Sequence, residues 1–211
     1  MFLSHCEGNR TIDDALLLFA NIESKRALNS PIPVFTSDNW DAFETALIQT
    51  YGTVEQPLYK GRGRPPLPVW IPFEDLMYAQ VCKKRENGRI IEVVQKVVLG
   101  DKDEVFKRLG VDENGCINTS YVERFHLTIR NSMARFVRKG MNFSKDQEIH
   151  TCAIDLFQAW YNLIKPHKSL RIKQPMGNRK WIHRTPMMTE GRTDHIWTMR
   201  ELLSFRIPIH P

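Results

Sequence analysis

A mixed α/β domain with a basic carboxyl-terminal extension is the fold class that this sequence predicts, and three observations predict it. Apolar runs and helical patterns follow one another in the order strand, helix, strand, helix, hairpin, helix, helix. The length of 211 residues is enough for one domain with a real core, or for one domain plus appendages. Positive charge is concentrated late in the chain, where residues 156–189 contain no Asp or Glu.

Four elements are predicted before the first long loop. The short apolar run MFLSHC predicts a strand that starts at the first residue. The segment TIDDALLLFANIESKRAL predicts a helix, because apolar residues recur at helical spacing and Thr11 can cap its start. The run SPIPVFTSD predicts a buried strand with Asp38 just past its end. The segment SDNWDAFETALIQTYG predicts a second helix, with Ser37 or Asp38 near its cap and Gly52 as its stop.

The middle of the chain predicts a loop, a hairpin and two helices. Residues 53–68 are rich in Gly, Pro and Arg, which indicates a loop. The segment LMYAQVCKKRENGRIIEVVQKVVLG predicts a β-hairpin, with Asn87 and Gly88 as its tight turn. DKDEVFKRLG is a short helix or turn, and SKDQEIHTCAIDLFQAWYNLI predicts an amphipathic helix capped by Ser144 and ended by Pro166.

The segment TSYVERFHLTIRNSMARFVRKG, from Thr119 to Gly140, predicts a helix with one carboxylate beside a cationic face. At about 100° per residue, its apolar side chains fall in one arc that faces the core. The residues of that arc are Val122, Phe125, Ile129, Met133, Phe136 and Val137. The opposite arc holds four cations: Arg124, Arg135, Arg138 and Lys139. Glu123 and Arg130 lie between the arcs, one above the other.

Two interpretations of Glu123 stay open on these local grounds. In the first, Glu123 belongs to an ordinary amphipathic helix and pairs with a neighbouring Arg. In the second, it is a metal-binding carboxylate beside arginines that contact phosphates, which requires a second carboxylate nearby. Asp38 is the candidate, because open α/β sheets place their sites at the carboxyl ends of strands. The alternative for Asp38 is a routine helix cap.

Composition limits the class of protein. The net charge of +6 favours polyanionic partners only weakly. The four cysteines are widely spaced, which argues against a structural zinc site and a secreted disulfide scaffold and favours reduced thiols in a cytoplasmic protein. No apolar run approaches the roughly 18–20 residues of a membrane span, and the first residues do not resemble a signal peptide.

Two blocks, VFTSDNWDAFETAL and NTSYVERFHLTIRNSMARFVRKGMNFSK, resemble the second half of the DDE transposase domain of prokaryotic insertion sequences. The resemblance continues through YNLIKPHKSL and RTPMMTEGRTDHIWTMRELLSFRIP, so it covers almost the whole chain. It implies an RNase H-like fold, of the integrase and transposase type, that lacks its first strands. Residues 1–155 would then be a partial DDE catalytic domain with an insertion over residues 53–100. Residues 156–211 would be a basic helical extension.

The resemblance also implies an activity and its residues. Enzymes of this family perform DNA transposition by metal-dependent phosphodiester cleavage and strand transfer. Asp38 and Glu123 would be the catalytic ligands of Mg²⁺ or Mn²⁺, and Arg130 would lie beside Glu123 near the scissile phosphate. The phosphate contacts would be Arg124, Arg135, Arg138 and Lys139. The implied partners are DNA, at transposon ends and at the target, and a second copy of the chain in a homo-oligomer, with no membrane. The implied location is the nucleoid in the cytoplasm.

The sequence departs from the family at the first catalytic Asp. That residue sits on the first strand in the family, whereas here Asp13 and Asp14 lie at the start of a helix and no Asp precedes them. We therefore expect an N-terminally truncated transposase with little or no catalysis by this chain alone. Two alternatives stay open: a non-catalytic DNA-binding remnant or regulator of transposition, and a nuclease that recruits its missing carboxylate from another chain.

Two further basic segments are candidate DNA contacts. KGRGRPP resembles an AT-hook core, an extended cationic arm that enters the minor groove of A·T-rich DNA, and would contact it through Lys60, Arg62 and Arg64. A solvated basic loop is the alternative. In the acid-free stretch, the DNA-backbone surface would consist of Lys165, His167, Lys168 and Arg171. The alternative there is a plain basic surface.

Overall fold

The computed structural model describes residues 1–111, 117, 120–137, 139–174 and 180–206. The chain divides into two compact units, a large unit of Ser4–Arg138 and a small unit that joins Met1–Leu3 to Lys139–Pro211. Helices and small sheets occur in it together, so the predicted mixed α/β class is confirmed. The division predicted from the sequence, a catalytic domain of residues 1–155 and a basic extension of residues 156–211, stays a prediction.

The large unit is built on a mixed sheet. Its elements are α1 Ile12–Glu23, β1 Phe35–Asp38, α2 Asp41–Thr50, β2 Gly52–Glu55, β3 Val69–Pro72, β4 Tyr78–Glu86, β5 Arg89–Leu99, α3 Lys102–Leu109, α4 Ser120–Ser132 and a 3₁₀ turn Ala134–Phe136. Within the described residues, β4 lies between β1, which is parallel to it, and β5, which is antiparallel. Strands β2 and β3 form a separate antiparallel pair.

Apolar side chains pack on both faces of this sheet. On one face, Leu47 of α2 and Phe19 of α1 pack with Tyr78, the first residue of β4, and with Leu76 just before it. On the other face, a second cluster is formed by Met77, Ala79, Val81, Val105 and Ile117. Alternate residues of β4 therefore contribute to opposite cores, as expected of a strand covered on both sides. Burying a side chain such as Leu47 contributes about 1.5 to 3 kcal/mol.

Two local predictions are confirmed. Thr11 caps α1 by accepting a hydrogen bond from the Asp14 amide at 3.2 Å, and the Asp14 carboxylate accepts one from the Thr11 amide at 2.9 Å. The bond from the Thr11 amide, foremost, and a second bond from the Thr11 hydroxyl at 2.8 Å hold the pKa of the Asp14 carboxyl below its ordinary value. The hairpin turn forms at Asn87 and Gly88, which have φ of 50° and 79°, as a tight two-residue connection requires.

Other predictions of elements were wrong in detail. Residues 1–7 form no strand, because the backbone amide and carbonyl of Phe2 bond the side chain of Asn162 at 2.9 and 2.7 Å instead of a neighbouring strand. Strand β1 is half-buried and includes Asp38 as its last residue. The cap residue of α2 is Trp40, and no side chain caps that helix.

The two later helices also differ from prediction. Helix α4 ends at Ser132, and Met133 is extended, so the predicted helix to Gly140 is interrupted. Helix α5 is capped by Asp146, whose carboxylate accepts the Ile149 amide at 2.8 Å, whereas the Ser144 hydroxyl bonds His150.

The small unit contains helices and a hairpin. Its elements are α5 Gln147–Ala159, a π-helical turn Trp160–Ile164, β6 His167–Lys173, β7 Trp181–Arg184, α6 Pro186–Thr189 and α7 Met199–Ser204. The predicted helical extension is thus corrected, because β6 and β7 form an antiparallel ribbon. Asn162 is buried and carries the bonds to Phe2, which hold Met1–Leu3 in this unit. Within the described residues, no helix has the length and apolarity needed to cross a bilayer.

Candidate carboxylate cleft and basic surfaces

The large unit contains a cleft of about 1080 Å³ that brings Asp38 and Glu123 together. Its wall is mostly apolar and draws on α1, β1, β4 and α4. The aromatic members of its lining are Phe19, Phe35, Trp40, Phe43 and Tyr78. The structure therefore places the two carboxylates predicted from the sequence on one concave surface.

Asp38 reaches the cleft from the carboxyl end of β1. Its partner across the parallel pair is Val81 of β4. The backbone carbonyl of Asp38 accepts the Trp40 amide at 3.0 Å, which turns the chain into α2. Since no side chain caps α2, the alternative interpretation of Asp38 as a helix cap is wrong.

A hydrogen-bonded network fixes the strand pair that carries Asp38. The Ser37 hydroxyl lies 2.7 Å from the Tyr78 phenol oxygen, and the side-chain amide of Gln80 donates to that oxygen at 3.0 Å. Tyr78 and Gln80 are buried, and burial raises the pKa of the Tyr78 phenol. The phenol therefore stays protonated and can donate to Ser37 while it accepts from Gln80.

Glu123 lies in the first turn of α4, where a carboxylate stabilises the helix amino end. Its Oε1 forms an ion pair and hydrogen bond with Nζ of Lys83, which projects from β4. The local alternative expected an Arg of the same helix as the partner. The structure shows a pairing with a lysine of the sheet, 40 residues away in the sequence.

Charged side chains of both signs lie at this cleft. The charged residues in its described lining are Arg10, Lys83, Lys84, Asp38 and Glu123, and His126 also lines it. The guanidinium of Arg10 stacks over the Trp40 ring at 5.1 Å. Lys84 pairs with Glu92 of β5 at 2.6 Å, and this bond raises the pKa of Lys84. Because Lys83 also pairs with Glu123, the charges at this cleft are largely balanced.

The carboxylates do not by themselves fit a ready divalent-metal centre. Mg²⁺ and Mn²⁺ prefer several oxygen ligands around one point. Among the described residues, no group of three or more His, Cys, Asp or Glu side chains is placed to hold a metal ion. In addition, an ammonium already bonds one of the two carboxylates.

The predicted phosphate contacts near α4 are spread over several elements. Arg124 and Arg130 lie on α4, and Arg130 is seven residues beyond Glu123, about 10 Å along the axis. Arg135 lies in the 3₁₀ turn after the helix break, and Lys139 is exposed with a φ of 59°. None of these four lines the cleft. Arg138 lies outside the described residues. Their role as DNA contacts stays a prediction.

The predicted AT-hook arm is a closed loop. Lys60, Arg62 and Arg64 are exposed, but Gly61 and Gly63 have φ of 72° and 86°, which bends the chain between them. The Tyr59 hydroxyl donates to the Gly63 carbonyl at 2.9 Å, and the Gln56 amide donates to the Pro66 carbonyl at 2.9 Å. The extended shape implied by the AT-hook resemblance is thus corrected, whereas the exposure of the three cations agrees with a solvent-facing basic loop.

Two cations of the small unit stack on tryptophan rings. The guanidinium of Arg171 stacks over the Trp181 ring at 4.2 Å, and the ammonium of Lys165 lies over Trp160 at 5.0 Å. Lys168 and Arg171 are exposed on β6. These cations are available to an anion, and their rings shield one side of each charge from water.

His167 differs from its neighbours because it is half-buried. Burial, the largest cause, lowers the pKa of its imidazole, and the nearby Lys165 ammonium lowers it further. Burial also lowers the pKa of Lys165. His167 Nε2 is buried without a hydrogen-bond partner. A neutral imidazole contributes no charge to DNA binding, so any contact from His167 is a hydrogen bond.

Comparisons with known proteins find no match for this chain among models of protein families, curated proteins or solved structures.

Lys83 and Arg10 are residues of the cleft that the sequence did not identify. Lys83 lies two positions after the buried Val81 in a strand, a weak signal that its side chain shares a face with the core. Its partner Glu123 could not be found from spacing, because the pair joins a strand to a distant helix. Arg10 precedes α1 in a turn and has a φ of 60°, which nothing in the local sequence indicates.

Proposed function

We propose that this chain is a DDE transposase domain that binds DNA and by itself cleaves it little or not at all. The observation that carries the proposal is the shared cleft: Asp38 and Glu123 are distant in sequence and line one surface of the large unit. These are the two positions that the resemblance assigns to metal-binding carboxylates. A pair of carboxylates beside cations is the arrangement that phosphodiester chemistry uses.

An RNase H-like arrangement of the large unit belongs to the same proposal. Its support is that β1 is parallel to its neighbour β4, that apolar clusters lie on both sheet faces, and that Asp38 stands at the carboxyl end of β1. Sites in open α/β sheets lie at this edge. The acidic residue of α4 then approaches the sheet edge from the helix, where Lys83 meets it.

The roles of the residues follow from their charge. Asp38 and Glu123 would hold Mg²⁺ or Mn²⁺ only together with a further oxygen ligand from outside this cleft, and the ion would then supply activation of the attacking oxygen and stabilisation of the leaving one. Arg10 and Lys84 flank the cleft and attract the phosphates of a strand. The exposed cations at Lys60, Arg62 and Arg64 and at Lys168 and Arg171 add contacts to the DNA backbone.

A non-catalytic DNA-binding protein is the second candidate, and one observation favours it. Lys83 pairs with Glu123, and among the described residues no group of three or more His, Cys, Asp or Glu side chains is placed to hold a metal ion. Such a cleft suits a phosphate better than a metal ion. The basic surfaces would then act in a regulator or competitor of transposition, without cleavage.

The test compares DNA binding and cleavage in matched variants of the full chain. Binding of a fluorescent duplex is measured by anisotropy at several salt concentrations, and Mn²⁺-dependent nicking is measured on supercoiled plasmid. The variants are Glu123→Ala and Asp38→Ala, with Glu104→Ala as control, because Glu104 is an exposed carboxylate of α3 paired with Arg108. We expect salt-sensitive binding in all variants and little or no nicking.

Each outcome of this test has a stated meaning. Nicking that is lost in Glu123→Ala and Asp38→Ala but kept in Glu104→Ala would show a working carboxylate site. Binding without nicking in any variant would agree with both candidates, because neither expects cleavage by this chain alone. Absence of salt-sensitive DNA binding by the wild-type chain would contradict both.

A further inference from the structure

Strand β5 is the last strand of the mixed sheet, and within the described part of the chain it pairs with β4 alone. Its other side is called the outer edge of β5. The strand has 11 residues, and Ile90, Ile91 and Val93 are at least half exposed on it. The backbone groups along such an edge can bond a further strand, so a long edge strand with exposed apolar side chains is a template for pairing.

The sequence of β5 is complementary to itself in the antiparallel direction. Val94 is the middle residue of Arg89–Leu99, so two copies of β5 that pair about a two-fold axis through Val94 are paired over their whole length. Glu92 of each copy then lies directly opposite Lys96 of the other, which gives two pairs of opposite charge. Moving one copy by one or two residues places both charges opposite uncharged residues, so the charges specify the register.

The structure of β5 suits this register. Its ladder with β4 is regular from Glu92 to Val97, and the two irregularities of that ladder lie outside this segment. Glu92 and Lys96 are exposed, and residues four apart in a strand lie on the same face of the sheet. Glu92 accepts a bond from Lys84 of β4 at 2.6 Å. A carboxylate has two oxygens and can accept from a second ammonium, so this bond is compatible with the pairing.

We propose that the outer edge of β5 is a dimer interface, at which a second copy of this chain adds its own β5 antiparallel, with Glu92 opposite Lys96. This inference goes beyond the proposed function and does not depend on it. Both copies use the same edge, so the pairing closes at a dimer. The contact is one strand from each copy, which is small for a protein interface. The dimer should therefore form in the micromolar range and dissociate at the lower concentrations of a DNA titration.

The first measurement is sedimentation velocity of the full chain across the micromolar range, where we expect a reversible equilibrium of monomer and dimer. Glu92→Lys and Lys96→Glu should each weaken the association at least about tenfold, because both pairs then have like charge. An equimolar mixture of these two variants should restore it, since two lysines of one chain then face two glutamates of the other. Glu104→Lys is the matched control, because it makes the same charge change in an exposed ion pair of α3. It should leave the association unchanged.

The second measurement is cross-linking by a short bis-maleimide, which tests the register. Directly opposite residues of antiparallel strands have Cβ atoms about 4.5 to 5.5 Å apart, so Val94→Cys, at the axis, should give a covalent dimer. Ile90→Cys lies four residues from the axis, about 27 Å from its equivalent in the second copy, and should not. The wild type, with its own cysteines, provides the background.

Four results would overturn the proposal: a monomer at every concentration, a dimer that both charge reversals leave unchanged, a mixture that fails to restore the association, or equal cross-linking of Ile90→Cys and Val94→Cys. Lys96→Glu leaves the bond between Lys84 and Glu92 in place, so it tests the interface even where Glu92→Lys weakens the hairpin. Circular dichroism checks the fold of each variant. Failure of the proposed function is seen as absent DNA binding, so the two are measured separately.

Discussion

The hydroxyl of Ser37 lies 2.7 Å from the phenol oxygen of Tyr78, and this bond joins β1 to β4 one residue before Asp38. The same phenol accepts the side-chain amide of the buried Gln80 at 3.0 Å. The phenol oxygen of Tyr78 therefore connects the two strands β1 and β4 that line the carboxylate cleft. The position of Asp38, the next residue of β1, depends on this connection.

Removing this oxygen should destabilise the large unit. Tyr78→Phe keeps the buried ring but leaves the Gln80 amide without the acceptor that it has in the native fold. An unsatisfied buried donor costs about 1 to 3 kcal/mol, and we expect a loss of that size in the free energy of unfolding by urea. Tyr59→Phe is the control, because the Tyr59 hydroxyl bonds Gly63 in an exposed loop. An equal loss in both variants would contradict the role assigned to the network.

Gly52 should not tolerate a side chain. A Cβ at this position would lie 2.5 Å from the carbonyl oxygen of Ile71 in β3 and closer still to that of Ile48 in α2. Backbone atoms cannot move aside as a flexible side chain can, so Gly52→Ala must shift the β2–β3 pair against α2. We expect a loss of about 1 to 3 kcal/mol in the free energy of unfolding, measured by urea denaturation.

The matched control for Gly52→Ala is Thr53→Ala. Thr53 is the next residue of β2 and is exposed, so this variant should change the free energy of unfolding by no more than about 0.5 kcal/mol. A Gly52→Ala variant as stable as the wild type would show that the close approach of β2 to α2 is not maintained in solution.

Local chemistry made some elements predictable. The hairpin of β4 and β5 was found because Asn87 and Gly88 adopt the positive φ angles that its turn needs. The cap of α1 was found because Thr11 lies at the start of the helical pattern, and the Asp14 carboxylate completes it. Each of these features depends on residues that lie within a few positions of one another, so each can be predicted from the sequence alone.

Other features depend on contacts that a local pattern does not contain. The apolar pattern of α4 continues to Val137, but the helix ends at Ser132. Its last two residues are Asn131 and Ser132, and side chains of these types compete with the helix for backbone hydrogen bonds. Residues 1–7 are apolar enough for a strand, yet Phe2 bonds the distant Asn162. The carboxylates of the cleft were predicted through the family resemblance, whereas Lys83 was not, because its pairing is long-range.

Helix α7 should depend on pH through His195. The imidazole bonds the Asp194 carboxylate at 2.6 Å and lies 3.3 Å from that of Glu201, which also caps α7 through Thr198. The bond to Asp194, foremost, raises the pKa of His195 above its ordinary 6.5. A raised pKa stabilises the fold below pH 6.5, and the effect is lost as the pH rises through the folded-state pKa. We expect the amides of α7 to lose protection over this range, measured by hydrogen exchange and corrected for the intrinsic rate.

Two variants check the assignment to His195. In His195→Gln, the protection of α7 should be lower below pH 6.5 and should vary little with pH across the histidine range. His183→Gln, on the exposed strand β7, should retain the wild-type pH dependence. A pH dependence that persists in His195→Gln would assign the effect to another group.

The basic loop should contribute to DNA binding through charge alone. Lys60, Arg62 and Arg64 are exposed on a loop closed by Tyr59 and Gln56, so their replacement by Gln leaves the fold intact. Each contact with a phosphate of duplex DNA contributes about 0.9 to the slope of log affinity against log salt concentration. We therefore expect the triple variant to lower the magnitude of this slope by about 2 to 3, measured by fluorescence anisotropy on a duplex.

The control is a triple Gln variant of exposed lysines outside the loop: Lys96, Lys102 and Lys107. It removes the same net charge from the large unit, so a general electrostatic effect would weaken binding equally in both proteins. A larger decrease of this slope in the loop variant than in the control would assign the phosphate contacts to the loop. Equal slopes would indicate that the loop is solvated in the complex and that the duplex lies on the other cationic surfaces. An A·T-rich and a G·C-rich duplex should give the same loss, because the closed loop lacks the extended shape needed to enter a minor groove.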